Sequence, residues 1–250
     1  MMTKSELFEK LKKEFIKILA DENLLTEKIE ITSKALTPEE AIGITKRKDF
    51  PIITGNEIML EADCKGAKGQ AFTDSPALFK GTLAEICNLD MEKDLHAAGL
   101  FIAALNAVMK YLGRTDCTVH CKSEGPEKCG KDIVEFIQEN YDDPKIVLIG
   151  YQPAMIDNLS KAFKLRVLDL NPVNVGQLRY GITVEHGITD YDDAVKGWAD
   201  LVLCTGSTIC NGTIVNFMGL DKPVLFFGTT LAGAAPILGL KRLCFADRYN

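Results

Sequence analysis

The sequence predicts an α/β protein, with a helix-covered parallel sheet in its C-terminal part and a smaller α+β part before it. Three observations carry this reading. From Pro144 onward apolar runs alternate with amphipathic stretches: 145–149, a helical pattern over 153–163, then 165–168. Later runs at 200–204 and 223–227 are apolar without alternation, as expected of strands covered on both faces. Each run breaks into glycine and hydroxyls, Thr205, Gly206, Ser207 and Thr208 after the first, Gly228, Thr229 and Thr230 after the second. Open parallel sheets bind ligands beyond the carboxyl ends of their strands, where amides and hydroxyls converge.

Composition sets the outer limits. The chain has 250 residues, 46% of them apolar, and a mean hydropathy of +0.03. That suffices for one large or two modest globular domains. No uncharged apolar run reaches membrane-spanning length and the N-terminus is polar, so a cytoplasmic protein without a membrane partner is expected. A formal charge of −6 and a pI near 5.2 argue against a nucleic-acid partner, which needs a basic field. The 8 cysteines, without a secretory signal, read as thiols or metal ligands rather than disulfides.

The N-terminal elements follow from periodicity. Leu7, Leu11, Phe15 and Ile18 mark a helix over 4–20, opened by a capping box of Thr3 and Glu6. Near-alternation predicts a strand over 29–36, and Thr37, Pro38, Glu39 and Glu40 have the character of a helix start. Residues 58–62 and 70–73 form a predicted hairpin, with 64–69 as its glycine-rich turn. Residues 76–87 read as helical. Asp90 is placed to cap a helix over 91–112 whose Leu95, Ile102, Leu105, Met109 and Leu112 face a core. His96 and Asn106 on it read as satisfied polar residues at a seam.

Residues 114–130 break the pattern. Cys117, Cys121 and Cys129 fall within 13 residues, where even spreading gives about 0.4 of a cysteine. With His120 they form a candidate soft-ligand set for zinc, iron or an iron–sulfur cluster. The spacing lacks paired Cys-x-x-Cys units, so reduced thiols under a loop and redox pairing stay open beside it. A short helix over 131–141 leads on.

The βαβ unit at 145–168 is the first part of a Rossmann-like sheet. Gly150 breaks the first strand, and Asp169 follows 19 residues later, where such folds place an acid on a ribose. The three-glycine fingerprint is absent, which argues against NAD and leaves S-adenosylmethionine or a nucleotide open. The alternative is that Asp169 caps a turn with Asn171 and Pro172. A short strand over 181–184 leads to His186, whose ordinary pKa suits proton transfer although no partner base or nucleophile follows from spacing. A helix from 190, ending at Trp198, and a last strand over 243–245 complete the chain.

The combination of Thr205, Gly206, Ser207 and Thr208 with Asn211, Gly212 and Thr213 and with Gly228, Thr229 and Thr230 resembles a family of Rossmann-like proteins labelled "putative heavy-metal chelation". Residues 99–107, including Asn106, resemble the helix that precedes that domain. The resemblance implies an enolase-N-terminal-like α+β domain over 1–113, a cysteine-rich connector over 114–130 and a Rossmann-like ligand-binding domain over 131–250. It further implies a ligand site in the cleft between them.

The leading expectation is a metal-associated protein: Cys117, His120, Cys121 and Cys129 supply soft ligands, while Gly150, Asp169, the loop 205–213 and Gly228, Thr229 and Thr230 hold a small polar or anionic molecule, a metal chelate or its precursor. An enzyme using S-adenosylmethionine or a nucleotide, and a non-catalytic sensor of a small molecule, are the alternatives. Homo-oligomerisation and turnover stay open.

Overall fold

A computed structural model describes residues 2–32 and 58–249. The expected helix start at Thr37 and the expected strand beyond Thr32 lie outside them. The fold is a mixed α/β arrangement of one antiparallel and one largely parallel sheet.

Helix α1 (Lys4–Asp21) opens with the expected capping box, Thr3 and Glu6 each satisfying the other's backbone amide. Its buried face, Leu7, Leu11, Phe15 and Leu19, packs into the core of a four-stranded sheet ordered β3-β2-β1-β4, comprising β1 (Lys28–Thr32), β2 (Ile58–Cys64), β3 (Ala67–Thr73) and β4 (Phe79–Thr82). All its pairings are antiparallel. The β2–β3 turn is tighter than the sequence suggests: Lys65 and Gly66 alone form it, with φ of 53° and 86°, the left-handed pair a two-residue hairpin turn requires. Gly69 sits inside β3 instead. A Cβ there would lie 2.1 Å from the amide nitrogen of Ala107, so its glycine serves the close approach of a helix. The expected helix over 76–87 divides into β4 and a one-turn helix, α2 (Leu83–Cys87), capped by Thr82 and Glu85.

The approaching helix is α3 (Ala97–Tyr111). It starts six residues later than expected and leaves Leu95 80% exposed, while every residue from Ala97 to Met109 is buried. A helix apolar on all sides lies between two layers rather than on one. On one side it meets β2 and β3; on the other it meets α6 (Ala234–Leu238), which follows α4 (Gly125–Asn140) and α5 (Pro153–Ala162) in the chain.

The second sheet runs β11-β10-β9-β5-β6-β8-β7, from β5 (Ile146–Ile149), β6 (Leu165–Asp169), β7 (Leu178–Arg179), β8 (Ile182–His186), β9 (Leu201–Thr205), β10 (Val224–Phe227) and β11 (Arg242–Leu243). Only the β7–β8 pairing is antiparallel. From β5 the chain winds outward through β6 and β8, then crosses to the other side of β5 and winds outward again through β9, β10 and β11. The loops leaving β5 and β9 therefore part company, which opens a crevice at their carboxyl ends. Side chains alternate between two cores: Ile146 and Leu148 pack with Ile133 of α4 and Ile156 of α5, whereas Val147 and Ile149 belong to the core around α3. Helix α4 begins earlier than expected because Pro126 fits its first turn, and 192–198 forms a π-helical segment. Among the described residues no helix is long and apolar enough to cross a membrane.

The fully buried Asn106 on α3 joins the layers. Its amide nitrogen donates to the carbonyls of Gln70 (2.8 Å), Thr230 (3.0 Å) and Thr229 (3.3 Å), and its oxygen accepts from the Gly233 amide (2.6 Å). Asn106→Leu leaves these backbone groups dry and unpaired, so it should cost about 2–4 kcal/mol in urea denaturation; a loss under about 0.5 kcal/mol would show that the amide is dispensable.

Candidate functional site

The crevice is a cavity of about 820 Å³, at the upper end of the range that encloses a cofactor-sized molecule. Gly150, Tyr151 and Gln152 after β5 form part of its rim, with Asp169 and Asn171 after β6 and Gly187 and Ile188 after β8. Thr205, Ser207, Thr208, Asn211 and Thr213 after β9 face them, with Gly228, Thr229 and Thr230 after β10. The end of β3 closes one side with Phe72, Thr73 and Asp74, and His120, Cys121 and Cys129 form another stretch of wall. Ten of the twelve residues expected at the ligand therefore share one cavity. Gly206 and Gly212 do not line it.

Gly206 serves packing, whereas Gly212 supplies a left-handed backbone with a φ of 78°. A Cβ on Gly206 would lie 2.7 Å from Cβ of Leu231, and one on Gly212 would lie 2.6 Å from the Lys4 side chain of α1. Gly150 and Gly228 are needed for backbone shape, with φ of 96° and 91°. A side chain at Gly150 would also approach Cγ2 of Thr205 to 2.7 Å.

Much of the polar rim is committed to itself. Thr208 donates its hydroxyl to the Thr205 carbonyl (2.7 Å), and the hydroxyls of Thr205 and Ser207 lie 3.0 Å apart, leaving one of their two protons for a guest. Asn211 accepts from the amide and hydroxyl of Thr213 at 2.9 and 2.7 Å. Asp169 ties two loops together, accepting from the Tyr151 and Asn171 amides, both at 2.7 Å, and from the Asn174 side chain at 3.3 Å. It is the turn-capping alternative that the structure displays, although the carboxylate still borders the cavity. Two buried polar atoms on wall residues have no hydrogen-bond partner among the described residues, Oγ1 of Thr229 and Nδ1 of His120.

Cys117, His120 and Cys121 lie in a loop, and Cys129 lies in the first turns of α4. Cys117 has a φ of 48° and turns its thiol to the Cys244 carbonyl (3.4 Å) instead of the cavity. Cys117, Cys121, Cys129 and Cys244 share a small apolar cluster with Ala246 and Tyr249. Among the described residues no three of His, Cys, Asp or Glu are placed to hold a metal ion, so Cys117, His120, Cys121 and Cys129 are not assembled as a ligand set. Hydrogen bonding to Cys244 and burial hold the Cys117 thiol far above its ordinary range, and burial does so for Cys121 and raises Cys129. A thiolate, the form a metal takes, is thereby disfavoured. The His120 ring stands edge-on to Phe72, with centroids 5.4 Å apart, and burial lowers its pKa to about 4.

His186 does not line the cavity. Its Nδ1 accepts from the Ile188 and Thr189 amides at 3.2 and 3.4 Å, so the ring caps a turn. His96 likewise bonds the Ser75 carbonyl through Nδ1 at 3.0 Å. Residues that sequence reasoning missed are Phe72, Asp74, Cys210, Phe217 and Cys244. Each reaches the cavity through tertiary packing, and only the excess of cysteine carried a hint.

Residues 132–232 match the model of a domain family, DUF364, described as "Putative heavy-metal chelation". No curated protein matches the chain. A crystal structure of a DUF364-family protein of unknown function from Pyrococcus horikoshii is similar at 15% identity and a TM-score of 0.55, covering 90% of this chain and 79% of that one. A second, from Desulfitobacterium hafniense DCB-2, is similar at 13% identity and a TM-score of 0.50, covering 73% of each chain. At these identities the likeness concerns the fold.

Two measurements check the wall. Gly150→Ala should lower stability by about 1–3 kcal/mol through its left-handed backbone and the Thr205 contact; unchanged chemical denaturation would contradict the geometry. Because the folded His120 takes a proton less readily than the unfolded residue, its contribution is intact above pH 6.5 and lost as pH falls toward about 4. His120→Leu should flatten the stability profile across that window by up to about 1.4 kcal/mol per pH unit.

Proposed function

We propose that this protein binds a small polar organic molecule in the cavity between its two sheets, and that a heavy metal enters as part of that guest. The observation that supports this most directly is the convergence of strand-end residues from β5, β6, β9 and β10 with the end of β3 on one cavity. The order of the six parallel strands is that of doubly wound, Rossmann-like sheets, whose ligands occupy this crevice. It also favours reading the chain as two domains, an α+β unit over 1–113 and a ligand-binding unit over 131–250, joined by 114–130.

The family description points to metal, and the donor set of the wall decides how metal is to be read. Thiols that do not converge do not suit an ion held by Cys117, His120, Cys121 and Cys129 alone, whether zinc, iron or an iron–sulfur cluster. A chelate, which brings its own donors, needs from the protein only shape and hydrogen bonds.

The second reading is an enzyme using S-adenosylmethionine or a nucleotide, favoured by Asp169 at the end of β6. Its carboxylate already serves three donors, which leaves less capacity for a ribose than that role requires. Binding without chemistry, as in a sensor, agrees with the commitment of His186 to a turn.

Native mass spectrometry of protein purified without heating or chelators tests the proposal. A copurifying small molecule should be retained by the unmodified chain and lost from Ser207→Trp, whose side chain fills the rim. At 100 times its Kd that molecule should add about 2.7 kcal/mol of stability to the unmodified chain and none to the variant. Equal retention by both proteins would place the ligand elsewhere.

A further inference from the structure

The charges, amides and rings of the wall define the kind of molecule that fits, and this step rests on the cavity reading above. The described lining residues include two carboxylates, Asp74 and Asp169, and no lysine or arginine. Asp74 takes a hydrogen bond from the Ser75 hydroxyl (3.1 Å), and Asp169 takes its bonds from neutral amides. None of these donors carries a positive charge, so neither carboxylate is paired with a cation by them. Arg242 bonds the Gly228 carbonyl at 3.2 Å but does not line the cavity, and it is engaged with the Asp116 side chain at 3.2 Å.

Four of the amides with which strand-end loops could hold phosphate are already in use. The Gly150 amide donates to the Leu168 carbonyl (2.8 Å), the Tyr151 amide to Asp169 (2.7 Å), the Ser207 amide to Thr205 Oγ1 (3.4 Å) and the Thr213 amide to Asn211 (2.9 Å). A polyanion entering here would meet two carboxylates and no lysine or arginine among the described lining residues, and would lose the hydration it leaves behind. A bare soft ion would meet thiols that do not converge.

What the wall does offer is uncharged polar groups and π character. Among the described residues, the hydroxyl of Thr229, only 2% exposed, and Nδ1 of His120 have no partner. Phe72, Phe217 and Phe227 add ring surface, and aromatic faces with nearby carboxylates attract weakly hydrated organic cations such as sulfonium or quaternary ammonium groups. We infer that the cavity selects an organic cation with a partly apolar body, in preference to phosphorylated compounds or uncomplexed metal ions.

A thermal-shift panel on the full chain tests this, with S-adenosylmethionine, thiamine and choline as cations, adenosine as a neutral compound, adenosine triphosphate and inositol hexakisphosphate as polyanions, and Cd²⁺ alone. The expected result is stabilisation by at least one cation, none by the polyanions, and no such shift in Ser207→Trp. Asp74→Asn should weaken the cation by about tenfold in calorimetry while leaving the unliganded melting temperature within a few degrees. Stabilisation chiefly by a polyanion or by Cd²⁺, abolished by Ser207→Trp, would overturn the charge assignment and leave the cavity reading standing. Shifts that survive Ser207→Trp would overturn both.

Discussion

The structure depends on one buried requirement: the outer edge of β3 and the loop after β10 must exchange hydrogen bonds through a place that water does not reach. Asn106 supplies the exchange. Its side chain is the only part of α3 between Ala97 and Met109 that carries a buried polar group, and each of its two functions is used, donation to Gln70, Thr229 and Thr230 and acceptance from Gly233. The small residues around it, Ala103, Ala104 and Ala107, let backbone approach on both sides, and Gly69 completes the fit. Further bonds follow the same line, from the Gln70 amide to the Thr118 carbonyl (2.9 Å) and from the Phe72 amide to Thr230 Oγ1 (3.1 Å). An edge that would otherwise invite pairing with another chain is thereby covered.

The cavity is a by-product of the same arrangement. Winding the parallel sheet in two directions from β5 leaves an opening where the β5 and β9 loops separate, and the bonds through Asn106 and Thr230 hold the end of β3 against that opening. Phe72 and Asp74 therefore become part of a wall built mainly by residues more than 70 positions later. The cysteines belong to this wall as compact, weakly polar fillers: Cys121, Cys129, Cys210 and Cys244 all border the space, and burial pushes the Cys210 thiol up to about 12. A small protonated thiol packs much as a hydrophobe does.

The sequence was most legible where short-range physics decides the outcome. The capping box of Thr3 and Glu6, the apolar runs of β5, β9 and β10, and the glycine breaks after them all follow from neighbours within a few residues, and the rim of the cavity follows from the breaks. It was misleading where one residue type serves two purposes. Gly66 and Gly69 look alike in a turn-rich stretch, yet the first supplies a left-handed backbone and the second supplies room for α3. Leu95 has the spacing of a core position but precedes the helix. The cysteines of 117–129 have a ligand-like density, but whether thiols converge depends on the loop's path, and the left-handed turn at Cys117 sends its sulfur to Cys244. Asp74 and Phe72 offered no local signal because their role is created by a contact between distant parts of the chain.

The partners of Asn106 bear on the chain's history as it is made. Gln70 precedes it by 36 residues, whereas Thr229, Thr230 and Gly233 follow it by 123, 124 and 127. At a synthesis rate of about 5–20 residues per second, the later partners leave the ribosome roughly 6–25 seconds after Asn106 does. During that interval α3 can settle on β2 and β3 with its opposite face bare, an alanine-rich surface with an amide at its centre. The time between the synthesis of Asn106 and of Thr229, Thr230 and Gly233 thus sets how long that half-built face stays uncovered.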